Sequence, residues 1–215
     1  MTTLPDEGSC AGRAHAQEEK TLVALCRAAW KQGLMAGFNG NASLICAARP
    51  GYCLVTCSGS PKGRLGKNDF CLARISDGAW RPSPGQRQPS SELGVHLAIY
   101  RGSMARAILH SHPPALLAME IAGGRLEDLP LFEAAFWSRR LAHVPRLAPG
   151  SAELAEVCAE LAAQAAGGAS ESGGGALWLS GHGLCAFGEN AQWALALTEQ
   201  LEHLAGIWLA AKKSG

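Results

Sequence analysis

Residues 105–121, ARAILHSHPPALLAMEI, decide the architecture. Ala105–Leu109 reads as a strand buried inside a sheet, and Pro114–Ile121 as a helix opened by its own proline. Between them sits His110-Ser111-His112. Side chains two apart on a strand lean to the same side, so both imidazoles can reach one point in space.

The flanking sequence alternates in the same way. Upstream, Leu22, Leu25, Cys26, Ala29 and Trp30 recur at helical spacing, which predicts an amphipathic helix from about Glu18 to Met35. It breaks at Gly37-Phe38-Asn39-Gly40-Asn41. Ala42–Ala47 and Tyr52–Thr56 read as a strand pair, and Ser58-Gly59-Ser60-Pro61-Lys62-Gly63 as a second glycine loop. Phe70–Ile75 is a further strand. Ser90 or Ser91 caps a helix to about Arg101, with Leu93, Leu97 and Tyr100 inward. Downstream, 123–150 shows no decisive period. Ser151 opens a helix, 167–175 is a Gly/Ser loop, and the short strands 176–179 and 184–187 flank Ser180-Gly181-His182-Gly183. A final helix, 190–212, is apolar over most of its surface, which hints at a subunit contact. Helices and strands mingle throughout, so the fold class is α/β. Residues 1–17 form a loose leader and 18–215 one domain.

Composition narrows the function classes. The 215 residues are 47% apolar and 17% charged, which is a globular balance. Lys plus Arg number 19 against 18 Asp plus Glu, for a net charge of +1, so a broad nucleic-acid or acidic-membrane surface is not expected. The start, MTTLPDEG, has neither a basic region nor an apolar core for export, and no apolar run is long enough to span a membrane. A cytoplasmic protein is expected. The eight cysteines contain no CxxC pair and read as reduced, buried thiols.

Four places carry chemistry. His110 and His112, joined by His182 between its two glycines, would make a catalytic zinc site with one open position; the same spacing also fits two unrelated surface histidines. Glu92, in Pro89-Ser90-Ser91-Glu92, is either a helix cap or part of a site. Ser90 and Ser91 cap the helix or, with its backbone N–H groups, bind an anion. Gly40-Asn41 and Ser58-Gly59 are plain turns or a backbone cradle for phosphate.

The order Gly40-Asn41-x-Ser43, Ser58-Gly59, Pro89-Ser90-Ser91-Glu92, His110-x-His112, Gly181-His182-Gly183 resembles the class II aldolase/adducin family. SSELGVHLAIY (90–100), AILHSHP (107–113) and GHGLCAFG (181–188) are similar to its core blocks, and the resemblance spans about residues 18–212. It implies a three-layer α/β/α sandwich around a mostly antiparallel sheet, assembled as a homotetramer. It implies Zn2+, or Mn2+ or Co2+ in its place, on His110, His112 and His182. Glu92 is implied as the base, and Gly40, Asn41, Ser58, Gly59, Ser90 and Ser91 as phosphate ligands. The implied activity is aldol cleavage of a ketose 1-phosphate of the fuculose phosphate type, through an enediolate, to dihydroxyacetone phosphate and an aldehyde. The alternatives are a related dehydratase or a pentulose-phosphate 4-epimerase, and third a non-catalytic adducin-like module, which would be expected to lack the three histidines. Aldolase members supply a Tyr acid from a neighbouring subunit, yet 123–150 contains no Tyr. Dehydratase relatives use a Glu there, which singles out Glu133.

Overall fold

A computed structural model describes residues 15–82, 85, 87–166 and 174–213. Eight strands form one sheet in the order β4-β3-β2-β1-β5-β8-β7-β6. These are β1 (Asn41–Ile45), β2 (Tyr52–Thr56), β3 (Phe70–Arg74), β4 (Trp80–Arg81), β5 (Ala107–Ser111), β6 (Leu141–Val144), β7 (Gly175–Leu179) and β8 (Gly183–Gly188). Every pairing is antiparallel except β6 with β7.

Six helices flank the sheet: α1 (Ala16–Lys31), α2 (Leu93–Gly102), α3 (Pro114–Ile121), α4 (Phe132–Ser138), α5 (Ala152–Ala165) and α6 (Ala191–Lys213). Helices α2 and α5 cover one face, packing Leu93, Leu97, Leu154 and Cys158 on Val55, Ile108, Leu177 and Phe187. On the other face α1 lies over Ala42, Leu54, Ala107 and Leu109, and α3 and α6 over Ala176, Leu184 and Ala186. This is the expected three-layer sandwich. The alternation along β5 shows how one strand serves both layers: Ala107 and Leu109 face α1, and Ile108 faces α2. All five β5 residues are buried, as a strand covered on both faces requires.

Several boundaries differ from the sequence reading. Helix α1 begins at Ala16, with His15 buried ahead of it, so residues 15–17 belong to the folded body and not to a leader; 1–14 lie outside the described residues. The unassigned 123–150 holds a 3₁₀ turn at Leu126–Asp128, then α4 and β6. Those elements are four to seven residues long, too short for a period to emerge. Most of the Gly/Ser loop, 167–173, lies outside the described residues. The apolar breadth of α6 is largely absorbed by the chain's own core through Ala194, Leu197, Leu201, Leu204 and Ala205. Exposed large apolar side chains include Ile121, Phe132 and Phe136 of α3 and α4, besides Trp30, Phe38 and Met104 elsewhere.

The decisive stretch is anchored from α6. Both oxygens of Glu202 accept hydrogen bonds from the first-turn amides of α3, Ala115 at 2.8 Å and Leu116 at 2.9 Å, so a carboxylate closes the helix end that carries the positive dipole. His112 N–H donates to Leu34 O at 2.9 Å. Glu202→Ala strips two amides of charged partners, worth about 1.5–3 kcal/mol together. The melting temperature is expected to drop by roughly 3–10 °C in a thermal scan; an unchanged melting temperature would show that the contact holds nothing in place.

Candidate metal centre

The site lies at one end of the sheet, where β5 ends and β1 and β8 begin. Register sets Asn41 opposite His110 on one side and Cys185 opposite it on the other. His110 is the next-to-last residue of β5 and is fully enclosed. His112 follows two residues on. His182 sits in the turn between β7 and β8, its N–H donating to Leu179 O at 2.9 Å. A Cβ at Gly183 would stand 2.5 Å from Ser111 O, so only glycine lets this turn close against the end of β5.

The three imidazoles converge. Their ring centroids are 5.0, 4.8 and 5.2 Å apart, and one ring nitrogen of each lies within 4.8 Å of the others. His110 Nδ1 stands 3.2 Å from Leu184 O, an acceptor, so Nδ1 carries the proton and donates. That fixes the tautomer and leaves the Nε2 lone pair aimed into the cluster, 3.1 Å from His112 Nε2. Burial, reinforced by the neighbouring imidazoles, holds His110 well below the ordinary histidine pKa and lowers His112 as well. Both are therefore in the neutral form that a metal needs.

Glu92 stands at the N-cap of α2 but its side chain caps nothing. Its carboxylate turns into the cluster, with Oε2 3.1 Å from His110 Nε2 and Oε1 3.5 Å from His182 Nε2. Oε1 is buried and makes no hydrogen bond. A buried acceptor left unpaired costs about 1–3 kcal/mol, and here it lies beside the converging imidazoles, nearest to His182. The donor set fits one divalent cation: three converging imidazoles with a carboxylate beside them.

The expected phosphate ligands gather at the same end. Ser90 N–H donates to Thr56 O at 3.0 Å, Ser58 N–H to Gln88 O at 2.9 Å, and Ala42 N–H to Thr56 Oγ1 at 3.2 Å, which ties the three segments together. Ser58, Gly59 and Ser91 are exposed, and Ser90 is buried with its hydroxyl accepting Glu92 N–H at 3.2 Å. Gly40 has φ +73°, and a Cβ there would fall 2.7 Å from His110 O; its glycine is required by the approach of the loop to β5. Asn41 is placed differently from the sequence reading. Its side chain is turned inward, donating to Glu92 Oε2 at 2.7 Å and facing His96 with its carbonyl.

Two residues of the site escape a sequence reading. His96, fully buried on α2, bridges Asn41 to Ser43, which stands 2.6 Å from its Nδ1. Lys62 is 2% exposed, and its ammonium donates to Ser60 O at 2.7 Å and Phe38 O at 3.2 Å, clamping the two glycine loops together. Its place in Ser58–Gly63 was the available signal. His96 had only its spacing, four residues from Glu92 and four from Tyr100.

An α/β/α sheet protein with a tri-histidine cluster at the strand ends is the class that fold and site define. The chain belongs to the Class II Aldolase and Adducin N-terminal domain family, whose pattern it matches over residues 20–209. It is 30% identical, over 93% of its length, to a protein of Nocardia farcinica described as a probable bifunctional methylthioribose-1-phosphate isomerase/methylthioribulose-1-phosphate dehydratase, and spans 36% of that relative. It is 28% identical to an L-fuculose phosphate aldolase of Methanococcus maripaludis, over 86% of this chain and 92% of the relative. Among solved structures, the L-fuculose-1-phosphate aldolase of Thermus thermophilus superposes with a TM-score of 0.72 at 25% identity, over 92% of this chain and 95% of that one.

Two outcomes follow for this site. The purified protein should carry about one divalent ion per chain, and His110→Ala or His182→Ala should lose it when metal is measured by mass spectrometry. Full metal in either variant would remove the assignment. His96, whose pKa burial lowers to about 3, adds a pH dependence. The unfolded chain takes up a proton near pH 6.5 that the folded chain refuses, so stability is complete above that pH and falls as pH drops toward 3. Denaturation of metal-free protein between pH 6 and 4 should show a slope shallower by about 1.4 kcal/mol per pH unit in His96→Gln than in wild type.

Proposed function

We propose that the protein is a metal-dependent lyase acting on a ketose 1-phosphate, with aldol cleavage to dihydroxyacetone phosphate and an aldehyde as its reaction. The observation that carries this reading is the unpaired Oε1 of Glu92 beside three imidazoles whose lone pairs converge. His110, His112 and His182 would hold a divalent ion, zinc in the first instance, which would supply Lewis acidity to the substrate carbonyl. Glu92 handles the proton on C3. In cleavage Glu92 takes up the proton of the C4 hydroxyl as the C3–C4 bond breaks and returns it to C3, so the carboxylate ends as it began. Gly40, Ser58, Gly59, Ser90 and Ser91 hold the phosphate and so fix which carbon faces Glu92, while the Asn41 side chain is spent on Glu92 itself. Lys62, clamping the two loops, places a positive charge behind them. The described residues act as one domain.

The assembly proposed is a homotetramer, with α3 and α4 at subunit contacts. Ile121 and Phe132 there are 86% and 93% exposed, and large apolar groups are rarely left so. The cytoplasm is the proposed compartment, in keeping with a phosphorylated substrate. The seven described cysteines are all buried and form no disulfide, with burial pushing the Cys26, Cys46 and Cys158 thiols up to about 12.

Dehydration is the second reading, favoured by the dehydratase-bearing relative and by the lack of a Tyr in 123–150. There Glu92 would take the C3 proton while the C4 hydroxyl leaves as water, protonated by an acid. Glu133, exposed on α4, is the candidate from a neighbouring subunit.

Incubation of the metal-loaded protein with phosphorylated ketoses separates the two. Release of dihydroxyacetone phosphate supports cleavage, and loss of water to a diketo phosphate supports dehydration. Neither product from any ketose 1-phosphate would overturn both. Glu92→Gln should retain metal and lose roughly 10²–10⁴-fold in turnover. Ser90→Ala with Ser91→Ala should mainly raise KM for phosphorylated substrate. Near-normal turnover of metal-bound Glu92→Gln would discard its role.

A further inference from the structure

Glu92, His96 and Tyr100 lie on one face of α2 at successive four-residue steps, and Asn41 and Ser43 lie on one face of β1 two residues apart. The two rows interdigitate into a continuous polar line through the core. Tyr100 OH is 2.8 Å from Ser43 Oγ, Ser43 Oγ is 2.6 Å from His96 Nδ1, His96 Nε2 meets Asn41 Oδ1, and Asn41 Nδ2 is 2.7 Å from Glu92 Oε2. Ser43 and His96 are wholly buried, and Asn41 and Tyr100 are 5% and 7% exposed.

We infer that this line is a one-directional hydrogen-bond chain that aims Glu92, and that His96 is its positioning residue. The direction follows from the ends. An ionised carboxylate only accepts, so Asn41 must present its amide nitrogen to Glu92 and its carbonyl to His96. His96 must then donate from Nε2. With a single ring proton, its Nδ1 accepts from the Ser43 hydroxyl, and Ser43 oxygen accepts from Tyr100. Burial keeps His96 neutral and the Tyr100 phenol protonated, so neither end of the chain is scrambled by ionisation. Each donor has one acceptor and the last acceptor is Glu92 Oε2.

Burying five polar groups is costly against an apolar core of the same shape, and a fully satisfied network recovers that cost by fixing one arrangement. What this one fixes is the orientation of the carboxylate. Oε2 is held by Asn41 while it stands 3.1 Å from His110 Nε2, and Oε1 is left without a hydrogen bond, 3.5 Å from His182 Nε2. The chain thereby keeps Glu92 from rotating to spend both oxygens on protein donors. The inference rests on Glu92 being the proton-transfer group, and the test separates the two claims.

In metal-free wild-type protein with 15N-labelled histidine rings, assigned through the backbone, His96 should be the Nε2–H tautomer with an unprotonated Nδ1. An Nδ1–H tautomer or an imidazolium at neutral pH would overturn the chain whatever the activity. In metal-loaded enzyme, His96→Met should lower kcat about 10–100-fold with KM and metal content little changed. His96→Gln, which restores a donor at the Nε2 position, should recover most of that loss. Equal kcat in Met and Gln variants, or a change confined to KM, would contradict the positioning role. A wild-type Nδ1–H tautomer alongside a large Glu92→Gln defect would sink the chain and spare the base. If His96→Met does not fold, the tautomer measurement alone decides.

Discussion

The pairing of β5 between β1 and β8 is the constraint on which the site depends. It sets Asn41 and Cys185 across from His110 and fully buries an imidazole near the end of a strand covered on both faces. Glycine makes that pairing possible at two edges. Gly40 admits the loop before β1 to within van der Waals reach of His110 O, and Gly183 admits the His182 turn to Ser111 O. Helix α2 then supplies Glu92 from above the sheet, and Glu202 on α6 pins α3 below it. Two layers thus converge on the end of one strand.

The electrostatics follow from that burial. Three histidines are packed within 5.2 Å of one another, ring to ring, an arrangement that charged imidazolium ions would not tolerate. Converging rings beside a half-satisfied carboxylate are instead poised for a cation, which would repay the desolvation of Glu92. The second polar system, from Glu92 through Asn41 and His96 to Tyr100, carries no net charge beyond the carboxylate at its end. Around the glycine loops the design is different again: Asp69 collects Ser60 Oγ at 2.9 Å, Gly66 N–H at 2.7 Å and the Arg87 guanidinium, which braces the loop that presents Ser58.

Much of this was legible in the chain. Pro114–Ile121 is a helix with the bounds its sequence indicates, because a proline opens it and a glycine pair follows it. Ser151 caps α5 through Leu154 N–H at 3.1 Å, as its sequence position suggests. The HxH spacing puts two imidazoles on one side, and His182 joins them from 70 residues away in sequence. What the sequence hides are features set by tertiary contact. β4 has two residues and β6 four, and neither carries a period. His96 on a helix buried nearly all round looks like core, and Asn41 reads as a loop ligand until β1 turns its amide toward Glu92. The apolar length of α6 looks like an interface until α3 and the sheet are packed against it.

X-ray absorption of the metal-loaded protein tests the central claim most directly, that His110, His112 and His182 hold one divalent ion beside Glu92. The account predicts a first shell of three imidazole nitrogens at about 2.0–2.1 Å completed by oxygen, with no sulfur scatterer. A shell containing thiolate sulfur at about 2.3 Å, or with fewer than three imidazoles, would contradict it.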